Sequence, residues 1–348
     1  MRPGRLTLAT LACGLLAISC TPGREDELPS GSTDQIHPQV VATIPIGQRG
    51  QVSSLLAAEA SIWVAGYESP GNGWLKRIDP ATDTVVATVP LQATPSWEWG
   101  GGGIAAGAGS IWVTGPSREP GAALERVDPT KNQVIATIVL DGREGADVTV
   151  DDSGVWVLVF DKSASMKVLR VDPATNQVTA TIPTDSDFSR KIAAADGAIW
   201  VEEHRSHDLV GDGNYLAKID PATNRVVATV PEGSFGAFDP DRDVIWADTG
   251  YGLARIDPKT GQFFCDPIPV GSAIRGFGLV AGEGGVWFFG YNDTVDGAPS
   301  FLERFNPLTN GVDASLPLPN PGPIALAVSP DSIWTANLDG SVSRIGVS

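Results

Sequence analysis

Residues 75–90 read LKRIDPATDTVVATVP, and this motif decides the fold because it returns along the chain. The related segments are 124–139 (LERVDPTKNQVIATIV), 169–183 (LRVDPATNQVTATIP), 216–231 (LAKIDPATNRVVATVP), 253–269 (LARIDPKTGQFFCDPIP) and 302–317 (LERFNPLTNGVDASLP). Alternating β-branched residues predict a strand on each side of the Asp-Pro or Asn-Pro pair. Pro, Asn and Gly in the middle of each copy favour a tight turn. Each copy is therefore a predicted β-hairpin, whose strands we label C and D.

An apolar-Trp pair precedes each hairpin and adds a strand B to every repeat. The tryptophans are 41 to 49 residues apart, at Trp63, Trp112, Trp156, Trp200, Trp246, Trp287 and Trp334. Eight residues before each Trp an apolar residue marks a strand A: Leu55, Ile104, Val148, Ile192, Phe238, Leu279 and Leu326. A repeat of this length with four strands is typical of a β-propeller blade. The sequence therefore predicts an all-β, seven-bladed propeller, with the tryptophans as packing residues between blades.

The two ends of the chain predict how the ring closes. The seventh repeat ends as SIWTANLDGSVSRIGVS at residues 332–348, which supplies strands A, B and C but no D. The missing D motif, VVATIP, stands at residues 40–45. Pairing of the N-terminal strand 40–45 with the last strand would complete the last blade and remove two exposed sheet edges. Residues 38–348 are therefore predicted to be one propeller domain.

The N-terminus has the features of an export signal. Arg2 and Arg5 precede an apolar stretch, 6–18, that is too short to span a bilayer. Residues 16–20, LAISC, resemble a bacterial lipobox, which implies removal of residues 1–19 and acylation of Cys20. The polar segment 20–37 then becomes a flexible tether. We expect an exported protein, lipid-anchored at the outer side of a bacterial membrane, at the cell surface or in the periplasm.

Composition excludes several classes of partner and of chemistry. The net charge of −17 argues against nucleic acid and against anionic lipid surfaces, so we expect membrane contact only through the lipid. Beyond Cys20 the only cysteine is Cys265, and we expect no intramolecular disulfide. No nucleophile-elbow motif or phosphate-binding loop is present. A monomer without a cofactor is the expectation.

The repeats resemble the YVTN/YncE-like propellers and, more distantly, the virginiamycin B lyase-like propellers. The likeness covers nearly all of residues 38–348 and rests on GSIWV and on LxRIDPATNxVVATIP. The lyase resemblance implies a metal-assisted eliminase that uses a His and a Glu-x-His pair on neighbouring blades. Glu202 and His204 match the pair, whereas the corresponding loop one blade earlier, 160–163, is FDKS and has no His.

Candidate ligand-binding residues lie in the D-to-A and B-to-C loops, which differ from blade to blade and share one face of a propeller. The candidates in these loops are Arg143 and also Arg49, Gln51, Trp97, Glu98, Trp99, Glu144, Arg190, Phe235 and Arg275. Glu202, His204 and His207 are candidate ligands for a divalent metal. We expect a non-catalytic binding module for a small molecule, a peptide or an envelope protein. The alternative is a metal-assisted lyase or hydrolase.

Overall fold

The protein is a ring of seven antiparallel sheets. The computed structural model describes residues 36–69, 72–95, 103–117, 121–161, 165–189, 191–205, 213–231, 234–249, 252–291, 300–318 and 323–347. All helical or extended secondary structure in these ranges is β-strand, with no helix, and each blade forms its own sheet. No helix among the described residues has the length and apolar character needed to cross a membrane. The predicted seven-bladed propeller is confirmed.

The strands, numbered in chain order, follow one another across each blade. Blades 1 and 2 contain β2 (Val52–Ala58), β3 (Ser61–Ser69), β4 (Asn72–Asp79), β5 (Thr84–Leu91), β6 (Ile104–Gly107), β7 (Ser110–Pro116), β8 (Ala122–Asp128) and β9 (Gln133–Leu140). Blades 3 and 4 contain β10 (Glu144–Asp151), β11 (Gly154–Phe160), β12 (Met166–Asp172), β13 (Gln177–Pro183), β14 (Ile192–Ala195), β15 (Ala198–Arg205), β16 (Gly213–Asp220) and β17 (Arg225–Pro231). Blades 5 and 6 contain β18 (Ser234–Asp239), β19 (Val244–Asp248), β20 (Leu253–Ile256), β21 (Ala273–Gly282), β22 (Gly285–Tyr291), β23 (Ser300–Asn306) and β24 (Gly311–Pro317). Blade 7 contains β25 (Pro323–Ser329), β26 (Ser332–Asn337), β27 (Ser341–Val347) and β1 (Pro38–Pro45).

The first strand of each blade is the innermost. Each of β2, β6, β10, β14, β18, β21 and β25 contacts the first strand of both neighbouring blades, so the seven form a closed ring around a central channel. Exposed large apolar side chains, by contrast, are found mainly on the fourth strands, as at Val86, Ile135 and Val227. The fourth strands therefore form the outer rim.

The ring closes as the sequence predicts. Strand β1 pairs antiparallel with β27, from Pro38 opposite Val347 to Pro45 opposite Ser341. Ile44 and Ile46 are buried in the cluster that joins blade 7 to blade 1. The N-terminal strand thus supplies the fourth strand of a blade whose other three strands come from the C-terminus.

The seven tryptophans are the packing residues that the repeat predicts. All seven have 0% of their surface exposed. Each lies in an apolar cluster at the boundary between blades, as Trp156 does with Val168 and Ile199. In six blades a basic side chain of the third strand lies over the ring, for example Arg170 at 4.9 Å from the Trp156 ring centre. The side chains of these seven tryptophans therefore pack the blades together and have no solvent-exposed surface.

The same basic residue reaches into the next blade, in a contact that we name the inter-blade clamp. Arg170 Nη1 of blade 3 donates to Pro221 O at 2.8 Å and to Asn224 Oδ1 at 3.0 Å in blade 4. Equivalent contacts are made by Arg77, Arg126, Lys218, Arg255 and Arg344. The basic residue on the third strand and the Asp-Pro turn, which both recur in the sequence, therefore contact each other across neighbouring blades.

The turn that receives the clamp is shaped by its own side chains. In blade 3, Asp172 Oδ1 accepts a hydrogen bond from Ala174 N at 2.8 Å. Asn176, later in the same turn, has a φ of 56°. Asn and Gly tolerate this left-handed conformation better than other residues. The hydrogen bond from Ala174 N is the main reason that the pKa of Asp172 is lowered.

One junction lacks the clamp. Blade 7 has no turn between its third and fourth strands, because those strands are the two ends of the described chain. Arg304 of blade 6 binds Asp313 of its own blade instead, with Nη1 at 3.0 Å from Oδ2. The junction between blades 6 and 7 therefore rests on apolar packing around Trp287 and Ile345.

Blade 5 differs from the prediction at its fourth strand. Only β18, β19 and β20 form its sheet, and the expected fourth strand is reduced to the isolated bridges Ile256–Phe263 and Leu253–Ile268. Pro267 and Pro269 interrupt this segment, and proline has no N–H to donate to a ladder. Cys265, in the same segment, is disulfide-bonded. The expectation of no intramolecular disulfide is therefore wrong.

Three of the seven buried indoles have an Nε1–H group without a hydrogen-bond acceptor among the described residues, and supplying one should stabilise the fold. Trp334 Nε1 donates to Ser329 Oγ at 2.9 Å, whereas the Nε1 atoms of Trp63, Trp200 and Trp287 have no hydrogen-bond partner among the described residues. The residue equivalent to Ser329 in blade 1 is Ala58. Ala58→Ser should provide the missing acceptor and stabilise the fold by about 1 kcal/mol. Denaturant unfolding measures this, with Ser329→Ala as the reciprocal loss; a destabilised Ala58→Ser variant would contradict it.

Candidate functional site

The two faces of the ring differ in regularity. One face carries the clamped turns between third and fourth strands, and we name it the clamp face. The other carries the D-to-A and B-to-C connections, and we name it the loop face. Strand β10 runs from Glu144 at the loop face to Asp151 at the clamp face. Because repeat proteins bind ligands through irregular loops on a rigid scaffold, the loop face and the adjoining channel are the expected place for a site.

Several charged side chains near the loop face hold its loops in place. Glu125, which is 1% exposed, accepts from the backbone N–H groups of Gln92 and Ala93 at 2.9 and 2.8 Å. Burial raises the pKa of Glu125, and these two hydrogen bonds oppose the rise. These contacts join the second blade to the end of the first. Glu125 is therefore a structural carboxylate.

Lys167 has a comparable structural role in blade 3. Its ammonium group donates to Asp141 Oδ2 at 3.1 Å and Asp161 Oδ1 at 3.2 Å, and these residues belong to the two loops on either side. Burial disfavours its charge, but the two carboxylates outweigh burial and raise the pKa of Lys167. Lys167, Asp141 and Asp161 therefore hold the two loops together.

At one position of the inner strands, charged residues occur in blades 3 and 4 alone. The position nine residues before each Trp lies on, or directly before, the inner strand and carries Ser54, Gly103, Asp147, Lys191, Ala237, Gly278 and Ala325. Five of the seven are small and uncharged. Asp147 and Lys191, on adjacent blades, are the exceptions, and we name them the channel pair.

Asp147 lies between the inner strands of three blades. Its Oδ2 accepts from Ile192 N of blade 4 at 3.1 Å, and Thr149 Oγ1 below it accepts from Ala194 N at 3.2 Å. On the other side is Gly103 of blade 2, where a Cβ atom would be 2.2 Å from Asp147 Oδ1. Burial raises the pKa of Asp147, against the opposing effects of the Lys191 charge and of backbone N–H groups. The site is therefore a carboxylate kept partly out of water.

A backbone hydrogen bond holds Lys191 in place, whereas its ammonium group makes no hydrogen bond to any described residue. Its carbonyl oxygen accepts from Glu202 N at 3.0 Å, which extends the pairing of β14 with β15. The charge of Lys191 acts on Asp147, yet no contact within 4.0 Å joins them as an ion pair. Among the described residues, the ammonium group has no hydrogen-bond partner. The channel pair is thus two neighbouring opposite charges that do not neutralise each other by contact.

An aromatic rim stands at the loop-face end of the same two blades. The rings of Phe160 and Phe188 are 6.0 Å apart, and Phe188 is 36% exposed. The Arg143 guanidinium lies 5.7 Å from the Phe160 ring centre, and its Nε is 3.4 Å from Glu144 Oε1. Charged and aromatic surface therefore occurs together at the mouth of the channel in blades 3 and 4.

The structure brings together only part of the residue set that the sequence suggests. Glu144 lies on β10, the strand of Asp147, whereas Arg49 is exposed and Gln51 Oε1 accepts from Gln48 N at 2.7 Å within its own loop. Phe235 lies in β18 and Arg275 in β21, but their side chains are outside the described part of the structure. Trp97, Glu98, Trp99 and Arg190 lie outside the described residues, as does Cys20.

The predicted metal ligands are likewise only partly described. Glu202 and His204 are two residues apart on β15 and therefore share one face of that strand. His204 Nδ1 is 3.0 Å from Asn214 Oδ1, which orients the ring. The described residues contain no group of three or more His, Cys, Asp or Glu side chains that could hold a metal ion. His207, the third predicted ligand, lies outside them.

A separate cleft lies away from the channel. It measures about 400 Å³ and is lined by 136–139 and 176–178, at the outer strands of blades 2 and 3. Its side chains are apolar or uncharged, with no ionisable group among them. Nothing in this cleft matches the charged surface of the channel mouth.

Comparison with known proteins adds no identification. No family model and no curated protein matches this chain. The interpretation of the site therefore rests on its geometry.

Asp147, Lys191 and Phe188 were missed by sequence reasoning, although a signal for two of them exists. Aligning the repeats on their tryptophans shows that the ninth preceding residue is charged in blades 3 and 4 alone. The apolar residue that marks each inner strand, Val148 or Ile192 in these blades, directly follows this charged position. No comparable signal marks Phe188, because its exposure depends on how the loop 184–189 folds.

The raised pKa of Asp147 makes a prediction with a definite sign. A carboxyl that titrates higher in the folded than in the unfolded state costs stability when charged, and the cost disappears as pH falls through the folded pKa. Asp147→Asn should therefore raise the midpoint of thermal unfolding at pH 7, and its advantage should shrink in acid. The measurement is thermal unfolding between about pH 3 and 8.

Asp172→Asn is the matched control for Asp147→Asn. Because the folded pKa of Asp172 is lowered, its charge contributes stability above the unfolded pKa, and that contribution is lost as pH falls through the folded value. The asparagine variant should therefore be less stable than wild type at neutral pH, with the gap closing in acid. Equal signs for the two variants at pH 7 would contradict the assignment.

Proposed function

We propose that this chain is a YVTN/YncE-like propeller lipoprotein that acts outside the cytoplasm as a non-catalytic binding module. Residues 1–19 serve as the signal peptide, and 20–37 tether the propeller to the outer side of a bacterial membrane through Cys20. The ligand binds at the loop face, over the mouth of the channel. The observation that carries the proposal is the channel pair, Asp147 and Lys191, since every other blade has a small uncharged residue at that position.

The position of the tether supports this arrangement. Strand β1 begins at Pro38, which pairs with Val347 at the clamp face, and runs toward the loop face. The tether joins β1 at that end. The loop face is consequently opposite the attachment point and open to ligands in solution.

Retention of a ligand tests the binding function. Immobilised protein is incubated with a small-molecule extract of the bacterial envelope, and retained compounds are identified by mass spectrometry. We expect wild type and Lys131→Met to retain a compound that Lys191→Met does not retain. Lys131 is the matched control because it is an exposed lysine on the clamp face, paired with Asp128 at 2.6 Å. Equal retention by all three proteins, or none by wild type, would refute a ligand site at the channel pair.

Lipidation makes a separate prediction. Metabolic labelling with a fatty acid should mark the wild type and Cys13→Ser and fail to mark Cys20→Ser, which should also lose its membrane association. Acylation requires the thiol of Cys20, so the disulfide of Cys265 has to be located in the same samples. Mass spectrometry of the alkylated, unreduced protein locates it. Labelling of Cys20→Ser, or a Cys20–Cys265 disulfide in the exported protein, would contradict the anchor.

A metal-assisted lyase or hydrolase is the alternative, and one observation favours it. Glu202 and His204 lie on one face of β15, and Asn214 fixes the His204 ring through Nδ1, which leaves Nε2 available as a ligand. Thermal unfolding with EDTA and with divalent metals tests it. A metal-dependent rise in the midpoint that His204→Ala/His207→Ala abolishes would favour the enzyme, and no rise with any metal would remove it.

A further inference from the structure

We propose that the ligand of the channel pair is a small zwitterion, which offers a carboxylate to Lys191 and an ammonium group to Asp147. This inference rests on the proposed binding function and names the chemical class of its ligand. An amino acid is the simplest compound of that class.

Lys191 provides the first half of the argument. Its ammonium carries three donors and, among the described residues, has no acceptor. The residue is only partly exposed, in a channel whose neighbouring positions are alanine and glycine. A cation that is partly withdrawn from water and has no partner is stabilised by an anion that binds beside it. A ligand carboxylate supplies both the charge and the acceptors.

Asp147 provides the second half. Its hydrogen bonds come from backbone N–H groups, those of Ile192 and Val148. A carboxylate has about four acceptor sites, so further ones remain for a ligand. Its charge costs free energy where it is, since burial raises the pKa of Asp147. A bound ammonium group offsets that cost.

The geometry explains why the two residues bind a ligand and not each other. Backbone hydrogen bonds from the adjacent strand hold Asp147, and no direct ion pair to Lys191 forms. The equivalent positions of the other five blades carry small uncharged residues, so no other side chain at this level offers Lys191 or Asp147 an opposite charge. Asp147 itself packs against Gly103, where any Cβ would overlap its carboxylate. Two opposite charges that are near but not in contact match a molecule that carries both charges itself.

The test uses probes that separate the two charges. Thermal unfolding of the full chain is measured with glycine, β-alanine, γ-aminobutyrate and phenylalanine, and with acetate and methylammonium as the single-charge controls, all at equal ionic strength. At about 100 times its dissociation constant, a matching zwitterion should raise the midpoint by about 4 °C. Acetate and methylammonium, alone or together, should raise it by less than half of that.

Variants assign the effect to the two residues. Lys191→Met and Asp147→Asn should each remove most of the zwitterion shift, while Lys131→Met keeps it. No shift with any zwitterion, or a shift that Lys191→Met retains, would overturn the inference. If the extract experiment still shows a ligand that depends on Lys191, the binding function stands and only the ligand class fails. If both experiments are negative, the proposed function fails as well.

Discussion

Deletion of residues 36–45 is expected to abolish the single cooperative unfolding transition of the propeller. These residues include β1, which pairs with β27 along its length and buries Ile44 at the junction with blade 1. Ile36 packs against the other junction of blade 7. Loss of one buried and one partly buried isoleucine together with a strand ladder should cost more than about 5 kcal/mol, which is comparable to the total stability of a typical domain.

Circular dichroism during heating and size-exclusion chromatography measure this effect. The deleted chain should melt broadly or not at all, and should associate through the exposed edge of β27. A chain that starts at Ile36 is the control and should unfold as the full chain does. If the deleted chain unfolds sharply within a few degrees of the control, then β1 does not close the ring energetically.

Arg170→Ala is expected to destabilise the fold by about 3 kcal/mol, or about 5 °C in the unfolding midpoint. The side chain stacks on Trp156 and donates to Pro221 O and Asn224 Oδ1 of the next blade, as well as to Ser153 O. Its removal leaves part-buried acceptors without this donor and exposes the indole. The clamp is therefore predicted to stabilise the junction between blades 3 and 4.

A lysine at the same position provides the graded comparison. Blade 4 already uses one, because Lys218 Nζ donates to Pro258 O at 2.7 Å and to Lys259 O at 2.8 Å. Arg170→Lys should therefore lose about a third as much stability as Arg170→Ala, roughly 1 kcal/mol. Denaturant unfolding of both variants is the measurement. A midpoint for Arg170→Ala equal to that of the exposed-site variant Arg49→Ala would contradict the clamp.

Most of the fold could be predicted from the sequence because the pattern of one blade recurs seven times along the chain. The strand period, the turn residues and the tryptophan spacing each indicate the same blade, and the displaced VVATIP at residues 40–45 indicates the closure. The fourth strand of blade 5 could not be predicted from the repeat alone. There Pro267 and Pro269 replace residues that donate to the ladder, so the local chemistry overrides the alignment.

The candidate site was less predictable, because it lies where the repeats differ. Arg143 and Glu144 contact each other, with Nε 3.4 Å from Oε1, whereas Gln51 accepts a hydrogen bond within its own loop. Side chains in loops have no periodicity that fixes their direction. Glu125 and Lys167 show the same difficulty, since only the structure reveals that they hold neighbouring loops.

The sequence by itself determined the number of blades, the way the ring closes and every strand except the fourth of blade 5, because repeated local patterns encode those features. The tertiary structure decided which charges meet. Arg170 and the turn at Asn224 are 54 residues apart, and Asp147 and Ile192 are 45 apart, yet each pair is joined by a hydrogen bond. Closing the ring brings equivalent positions of adjacent blades side by side. A clamp and a channel pair therefore exist only after the blades have packed.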